Sequence, residues 1–517
     1  MEEYFSISSQ YGLSDINPSP FLVENMLIAT NGENRTLYVV KDHKLHPEVM
    51  DYRQLFFKQW PQTIWEPIAK SKLIELQQRN DVFTSKEEHS DLQADIVHTF
   101  EVAAKRRASD IHIRVGNKYT KIFFRIDQKL VFYTDLVDDK GVRFVQALYQ
   151  TMCEGRTAPT FTFSEPVDAK VKESHVESLG LNGGRLATRP TDEKGLIVIR
   201  LLRKNNKSLT LRELGVTDEQ ERILQRVISK PSGVVFMSGP TNSGKSTLAK
   251  CMAEIVTSRD PGIHLLTVED PIESTIAGAV QTPLICIDRG TPGALSKAWG
   301  DAIANLMRLD PDQIYIGEVR DFTSATGAIS AAQTGQKVYT TIHTHNPIDI
   351  IPRLKSFNVD MDLITDSSLL TCLIGQRLAP LLCEHCKQAY VKHSHKVDPV
   401  YRELIETHCI PSGVYIANEE GCEHCNHTGY KGMTGIYEII ETNANFMQIF
   451  QTKGKLAAYE YWYQQGGQTL AANAISLINQ GKIDPVYSHS NVSSLDRDIQ
   501  MFTDEIRNSV TSKLKVA

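Results

Sequence analysis

The sequence predicts an α/β fold built on a mainly parallel sheet, and three observations support this. The segment Gly239–Thr247 fills every position of the phosphate-binding pattern G-x-x-x-x-G-K-[ST]. Around and after it, short apolar segments alternate with helical patterns, as in a parallel sheet covered on both faces. Towards the C-terminus, two C-x-x-C pairs indicate a small separate unit that could hold a metal ion.

The phosphate-binding pattern lies where a strand would pass into a helix. The apolar run Val234–Met237 reads as a buried strand, and Leu248–Val256 reads as a helix. In this setting Lys245 reaches the β- and γ-phosphates of a nucleotide, and Ser246 can ligate Mg²⁺. The complete predicted loop is Gly239, Pro240, Thr241, Asn242, Ser243, Gly244, Lys245, Ser246 and Thr247.

The size and charge of the whole chain limit the kinds of protein that it can be. A length of 517 residues predicts three or four units at about 100–200 residues each. The formal net charge of −6 gives no basic field, so nucleic acid is not an expected partner. No apolar stretch approaches the ~20 residues of a membrane span, and the start Met1–Tyr4 lacks the features of a secretory signal. We therefore expect a cytoplasmic protein that contacts membranes only through partners.

Residues 1–90 carry no chemical motif and are interpreted as an N-terminal adaptor domain. Residues 91–207 read as an α+β domain, with a helix followed by a hairpin of two strands. The predicted strands are Ser109–Val115, Lys121–Asp127, Arg185–Arg189 and Leu196–Leu202. The basic stretch Arg203–Ser208 is a predicted linker, and Thr217–Gln220 has the spacing of a helix capping box.

Acidic or histidine residues follow three further predicted strands, at the edge where an open α/β sheet binds its ligand. Those strands are His264–Val268, Gln313–Gly317 and Lys337–Ile342. Phosphoryl transfer to water needs one carboxylate to orient the nucleophile and an acidic group for Mg²⁺. Glu269 and Glu318 are the candidates, although a single acidic residue at a strand end is as often a cap or a surface ion pair.

Roughly residues 95–440 resemble the hexameric ATPases of type II secretion and type IV pilus assembly. The resemblance is carried by a set of short segments. These are Arg107–Ile113 with Phe124–Asp127 (similar to that family's N2 domain), Val268–Glu273 (its aspartate box), Ile316–Asp321 (its Walker B segment) and Thr334–Thr344 (its histidine box).

The resemblance implies a PAS-like N2 domain over residues 91–207 and a RecA-like P-loop ATPase domain over 208–380. A zinc-binding subdomain over 381–437 and a C-terminal helical region over 438–517 would follow. It also implies that Glu269 polarises the attacking water, that Glu318 supports the metal, and that His343 senses the γ-phosphate. Arg125, Arg189 and, with less support, Arg185 match arginines that reach a nucleotide between domains or subunits.

Two positions depart from the family's pattern. Gln336 stands where histidine is common, and glutamine cannot take a positive charge. Asn242 stands where glycine is common, which we expect to matter little because asparagine tolerates a positive φ.

The four paired cysteines predict a structural zinc site. Cys383, Cys386, Cys422 and Cys425 form two C-x-x-C pairs with 35 residues between them, and four thiolates can close a tetrahedral shell. A redox pair is the weaker interpretation, because it would need one such motif in a thioredoxin-like setting. The remaining cysteines are expected to be reduced thiols. By the resemblance, this insertion is typical of assembly and secretion motors rather than of pilus retraction.

These observations predict an ATPase that uses ATP, Mg²⁺ and Zn²⁺. By the resemblance, it forms a ring, expected to be hexameric, and powers type IV pilus assembly through a platform protein of the inner membrane. A type II secretion ATPase acting on a pseudopilus is an alternative. A nucleotide-gated scaffold with incidental hydrolysis and a DNA-translocating relative are others, the last disfavoured by the acidic charge.

Overall fold

The computed structural model describes residues 3–7, 13, 18–30, 35–137, 139–158, 160–203, 208–287, 289 and 291–502. Most of the predicted linker Arg203–Ser208 and the last part of the predicted C-terminal region lie outside these residues. The described chain forms three main sheets, each with its own buried core, and a small two-stranded sheet.

The N-terminal unit is a four-stranded sheet in the order β1-β2-β3-β4, antiparallel except for the parallel pair β3 and β4. Its elements are β1 (Glu3–Ser6), α1 (Pro20–Asn25), β2 (Met26–Thr30), β3 (Arg35–Val40), α2 (Pro47–Gln59) and β4 (Ile64–Ile68). Strand β2 is buried along its whole length because apolar groups cover both faces of this sheet.

A long helix, α3 (Lys70–Lys105), connects this unit to the next. It runs through the predicted boundary at residues 90 and 91 without a break. Its C-terminal end places Ile96, Phe100 and Ala103 in the core of the second sheet, so this part of the helix belongs with that sheet.

The second sheet has seven antiparallel strands in the order β7-β6-β5-β11-β10-β9-β8. The elements are β5 (Asp110–Val115), β6 (Tyr119–Ile126), β7 (Lys129–Val137), α4 (Lys140–Ala147), β8 (Cys153–Glu154), β9 (Asp168–Val171), β10 (Leu181–Pro190) and β11 (Gly195–Arg203). The predicted hairpin and the two further strands are confirmed. Because successive side chains alternate between faces, Ile111 and Phe124 enter the core while Arg125 and Arg185 occupy the other face.

The third and largest unit contains the phosphate loop. Its elements are α5 (Asp218–Ile228), β12 (Gly233–Ser238), α6 (Lys245–Arg259), β13 (Leu265–Glu269), β14 (Ala279–Pro283), α7 (Ala294–Leu306), β15 (Gln313–Val319), α8 (Phe322–Gln333), β16 (Lys337–Ile342), α9 (Ile350–Ser356), α10 (Met361–Ile364), β17 (Leu370–Leu382), β18 (Gln388–Ala389), α11 (Tyr390–His393), α12 (Pro399–His408), β19 (Tyr415–Ile416) and β20 (Tyr430–Glu441). The predicted capping box is present: Thr217 accepts from the Gln220 backbone, and the Gln220 side chain accepts in return.

The strand order in this unit is β14-β13-β15-β16-β12-β17-β20, and every pair is parallel except β17 with β20. Cores on both faces confirm the predicted covered, mainly parallel sheet. The segment between β17 and β20 carries the four paired cysteines and the small sheet of β18 and β19.

Five helices end the described chain: α13 (Ala444–Lys453), α14 (Lys455–Gln464), α15 (Leu470–Asn479), α16 (Pro485–Asn491) and α17 (Arg497–Met501). They pack Phe446, Tyr459 and Ile475 against the third sheet and the cysteine-bearing segment. The predicted boundary at residues 437 and 438 falls inside β20, so these helices join the sheet directly. Among the described helices, none combines the length and the apolar character that crossing a membrane requires.

Candidate active site

A cavity of about 620 Å³ lies between the second and third sheets. The third sheet contributes the phosphate loop and the carboxyl ends of β13, β15 and β16, which meet at one edge because these strands are parallel. The second sheet contributes basic side chains that face this edge. The candidate site is therefore built from two units of the chain.

The phosphate loop has the backbone expected of an anion-binding turn. Gly244 has φ +87° at the N-terminus of α6, and Asn242 has φ +64°, as predicted for this position. Residues 241–247 line the cavity. Lys245 Nζ donates to the carbonyl oxygens of Gly239 at 2.8 Å and Pro240 at 2.9 Å. Burial lowers the pKa of Lys245 to about 8.

Glu269, at the end of β13, is a buried carboxylate held by two neutral donors. Its Oε1 accepts from Thr267 Oγ1 at 2.7 Å and from Gln281 Nε2 at 2.9 Å. Burial raises the pKa of Glu269, and the nearby charge of Glu273 adds to the rise. A fixed carboxylate with a raised pKa is suited to accepting a proton from water. Sequence reasoning missed Gln281, because its contact arises from the pairing of β13 with β14.

The carboxylate of Glu318, near the end of β15, contacts two side chains, one at each oxygen. Arg320 lies 2.7 Å from its Oε2, and His343 Nε2 lies 3.3 Å from its Oε1. Burial and the nearby charge of Lys245 lower the pKa of His343, while Glu318 opposes this shift. The structure thus brings Glu318 and His343 together beside the phosphate loop, as expected from their positions at adjacent strand ends.

The three predicted arginines occupy different places. Arg185 lines the cavity, and its guanidinium donates to the carbonyl oxygen of Asp270. Arg125 instead donates to the carbonyl oxygen of Gln128 at 3.0 Å, and Arg189 is exposed; neither lines the cavity. Of the three predicted arginines, Arg185 had the weakest support from the sequence, yet it is the one that lines the cavity of its own chain.

Four other arginines line the cavity, and sequence reasoning gave none of them a role: Arg107, Arg200, Arg203 and Arg320. Arg200 could have been found, since it pairs in register with Arg185 across β10 and β11 and shares its face. Arg107 lies two residues beyond the end of α3, and Arg203 is the last residue of β11; no spacing rule indicates either of them.

Gln336 lies away from the cavity. It precedes β16, accepts a backbone hydrogen bond from Gly233, and contacts the Thr334 hydroxyl at 2.5 Å. His343 follows the other end of the same strand, roughly 20 Å away at about 3.3 Å per residue. The departure from the family's histidine therefore does not alter the site of this chain directly.

The four paired cysteines form one cluster. Their sulfur atoms all lie within 4.8 Å of one another, with Cys383–Cys422 and Cys422–Cys425 at 3.8 Å and Cys386–Cys425 at 3.9 Å. Zn–S bonds of about 2.3 Å place the sulfurs of a tetrahedral site about 3.8 Å apart, so the donor set fits zinc. Backbone N–H groups of Cys422 and Gly429 donate to Cys425 Sγ, as thiolate ligands require.

Other side chains near this cluster are not part of it. The rings of His385 and His424 stack with centroids 3.8 Å apart, outside the four-sulfur group. The remaining cysteines are free thiols, as predicted, and all but Cys286 are buried: Cys153, Cys251, Cys286, Cys372 and Cys409.

Comparison with known proteins identifies the family. The profile of the family described as "Type II/IV secretion system protein" matches residues 85–500. The type II secretion system protein E of Aeromonas hydrophila is 33% identical over 370 residues, which are 69% of this chain and 66% of that protein. The protein transport protein HofB homolog of Escherichia coli (strain K12) is 31% identical over 401 residues, which are 76% of this chain and 80% of that protein.

A further relative, the type II secretion system ATPase E of Vibrio cholerae, is 29% identical over 391 residues, which are 73% of this chain and 71% of that protein. Among solved structures, the Legionella pneumophila ATPase DotB aligns with a TM-score of 0.49 and 19% identity, over 74% of this chain and 90% of that one. Since the family profile covers most of the sequence, the chain belongs to the type II/IV secretion system protein family and is an ATP-hydrolysing enzyme of that family.

Proposed function

We propose that this ATPase is the motor of type IV pilus assembly, in which hydrolysis drives the addition of pilin subunits at the inner membrane. The observation that carries the proposal is the position of the site between two sheets. Arg185 of the second sheet contacts Asp270 of the third beside the phosphate loop. A change in the bound nucleotide would therefore alter the contact between two units, which is how hydrolysis can become movement.

The proposed roles follow from the contacts. Lys245 holds the β- and γ-phosphates, and Ser246 ligates Mg²⁺. Glu269 orients and polarises the attacking water, with Gln281 and Thr267 fixing its carboxylate. The Mg²⁺ ion, when bound, neutralises charge that develops on the phosphates.

Glu318 supports that ion, and His343, in contact with Glu318, responds to loss of the γ-phosphate. Arg185 acts within the chain. Arg125 and Arg189, which do not line the cavity, would act on the site of a neighbouring copy in a ring, which we propose to be hexameric.

The surrounding parts are assigned as follows. Residues 1–90 are the proposed adaptor, 91–207 the PAS-like N2 domain and 208–380 the RecA-like ATPase domain. Residues 381–437 are the proposed zinc-binding subdomain, and α13 to α17 supply the helices of the proposed C-terminal region. The four cysteines would hold zinc as a structural site, since their thiolates can fill a tetrahedral shell. The protein would be cytoplasmic and would reach the inner membrane through a platform protein.

A second candidate is the type II secretion ATPase, which acts on a pseudopilus. Its support is that several relatives carry the name type II secretion system protein E. Restoring pilus assembly or protein export in strains that lack the corresponding ATPase separates the two candidates. The scaffold interpretation loses its support, because Gln336, its single basis, lies at the far end of β16.

Two variants of the purified protein test the assignment of ATP hydrolysis to this site. Lys245→Ala should abolish ATP hydrolysis, because no other cation replaces its contacts within the phosphate loop. Glu269→Gln should retain ATP binding while hydrolysis falls by about 100-fold or more, as expected when a catalytic base is removed. Lys250→Met, in the same helix but outside the cavity, is the control. Normal turnover of Lys245→Ala would refute the assignment.

A further inference from the structure

Arg377, on β17, is a buried guanidinium that has no ion-pair partner among the residues that the structure describes. It is 5% exposed, and no carboxylate in the described part of the chain lies within 4.0 Å of it. The acidic group whose charge acts on Arg377 is the fully buried Glu438, and Glu438 is already paired with another arginine: Arg497 NH1 lies 3.0 Å from Glu438 Oε2. A buried charge without an ion pair is costly, so its retention needs a reason.

The hydrogen bonds of Arg377 indicate that reason. Its NH2 donates to the carbonyl oxygen of His345 at 2.6 Å, and its NH1 to that of Gln376 at 3.1 Å. Two residues earlier on β17, Gly375 packs directly against Pro347, where a Cβ would lie only 2.5 Å from the proline ring. Strand β17 therefore supports the segment His343–Pro347, which we call the histidine loop.

The same short stretch of β17 also lies beneath the phosphate loop. A Cβ added at Gly239 would meet the backbone carbonyl oxygen of Gln376 at 2.5 Å. One added at Gly244 would meet the side-chain Nε2 of Gln376 at 2.7 Å. The Gln376 Oε1 atom is buried and has no hydrogen-bond partner within the described structure. Residues 375–377 thus touch the two loops that would bracket the γ-phosphate.

We propose that Arg377 is a positioning residue that fixes the histidine loop relative to the phosphate loop. By holding the His345 carbonyl, it keeps His343 within reach of Glu318, 3.3 Å away. The expected effect of Arg377 on ATP hydrolysis rests on the proposed function. Its expected effect on the position of the histidine loop does not. The guanidinium suits this task because its rigid, forked donors can hold two carbonyl oxygens at once.

The first test compares Arg377→Met and Arg377→Lys with the wild-type chain. In Arg377→Met, kcat for ATP should fall by about 10-fold to 100-fold, the size expected when a group near the reacting atoms is displaced. The dissociation constant of an ATP analogue should change less than about threefold, because the phosphate-loop contacts remain. Arg377→Lys keeps the charge but carries its donors on a single nitrogen, which can still reach one of the two carbonyl oxygens, so its loss in kcat should be smaller.

The control is Lys337→Met, which removes another buried cation from the opposite end of the same sheet. Its kcat should equal that of the wild-type chain. A merely structural role for Arg377 would make the two Met variants alike, with the same kcat per folded molecule, and that result would overturn the inference.

The second test needs no hydrolysis. Amide hydrogen exchange of the histidine loop, measured without nucleotide, should become faster in Arg377→Met but not in Lys337→Met. Unchanged exchange in this loop overturns the inference whatever the rates. If the wild-type chain fails to hydrolyse ATP, the proposed function fails, yet the exchange experiment still decides the role of Arg377. If Arg377→Met does not fold, Arg377→Lys is judged by the same two measurements.

Discussion

Arg185 donates a hydrogen bond from its guanidinium to the carbonyl oxygen of Asp270, 85 residues further along the chain. The contact joins β10 of the second sheet to the segment that follows β13 of the third. Asp270 also forms a two-point ion pair with Arg289, at 2.7 and 3.0 Å. Asp270 therefore contacts two arginines, with its carbonyl oxygen facing Arg185 and its carboxylate facing Arg289.

The first prediction concerns the division of work among the arginines. Arg185→Ala should lower kcat/KM for ATP by at least about tenfold at every protein concentration, since Arg185 lines the site of its own chain. Arg189→Ala should lower it only at concentrations where copies assemble, because Arg189 lies outside that cavity. Turnover measured against protein concentration, with sedimentation to follow assembly, checks both. A concentration-independent loss in Arg189→Ala would contradict the division.

How much the sequence could predict depends on the range of each interaction. The phosphate loop, its flanking strand and helix, and the positive φ of Asn242 follow from local chemistry and were predicted. The meeting of Glu269 and Glu318 followed from a general property of parallel strands. Which of the predicted arginines lines the cavity could not be predicted in this way. It depends on how the second and third sheets are placed against each other, and the residue pattern within one sheet does not report that placement.

The second prediction concerns the pH dependence of nucleotide binding. Burial lowers the pKa of Lys245 to about 8, so in the free protein its charge is lost as pH rises through that value. Bound phosphates favour the charged form, so binding above pH 8 must take up a proton. The dissociation constant for ATP should then rise by up to about tenfold per pH unit above 8.

Binding of a fluorescent ATP analogue between pH 7 and 10 measures this dependence. Lys337→Met is the matched control, because burial also lowers the pKa of Lys337 to about 8, but this residue is far from the cavity. Its binding curve should follow that of the wild-type chain. A flat wild-type curve up to pH 10 would mean that Lys245 stays charged in the free protein.

The third prediction concerns the cysteine cluster. Cys386→Ser should reduce bound zinc from about one ion per chain to almost none, because an alcohol is a poor substitute for a thiolate ligand. Cys409→Ser, which alters a buried free thiol in the same part of the fold, should keep its zinc. Elemental analysis of both purified variants measures the metal content. Equal zinc in the two would remove Cys386 from the ligand set.

Loss of zinc should also act locally. A zinc ion held by the four cysteines would tie the residues that follow β17 to those that precede β20, so its removal should expose residues 383–429 to proteolysis. The paired strands β17 and β20 should stay protected, since their antiparallel ladder does not depend on the metal. Limited proteolysis with and without a chelator distinguishes this from global unfolding.

The fourth prediction concerns the stability cost of Lys337, which is fully buried at the start of β16. Among the described residues, its Nζ donates only to Thr371 Oγ1 at 3.1 Å and to the Ser232 carbonyl oxygen at 3.4 Å. Burial lowers the pKa of Lys337 from 10.5 to about 8. Below pH 8 the lysine is charged in both folded and unfolded chains, so the folded state carries the full cost of burying the charge. Between pH 8 and 10.5 the unfolded chain binds the proton and the folded chain does not, so stability rises with pH.

Lys337→Met removes that charge while nearly conserving volume, and Thr371 Oγ1 keeps its bond to the Val234 carbonyl. At pH 7 the variant should be more stable than the wild-type chain by on the order of 1–3 kcal/mol, and the difference should shrink towards pH 10. Thermal unfolding at a series of pH values measures the difference between the two midpoints. A variant that unfolds earlier at pH 7, or a difference that does not change with pH, would show that the Lys337 hydrogen bonds outweigh the cost of its buried charge.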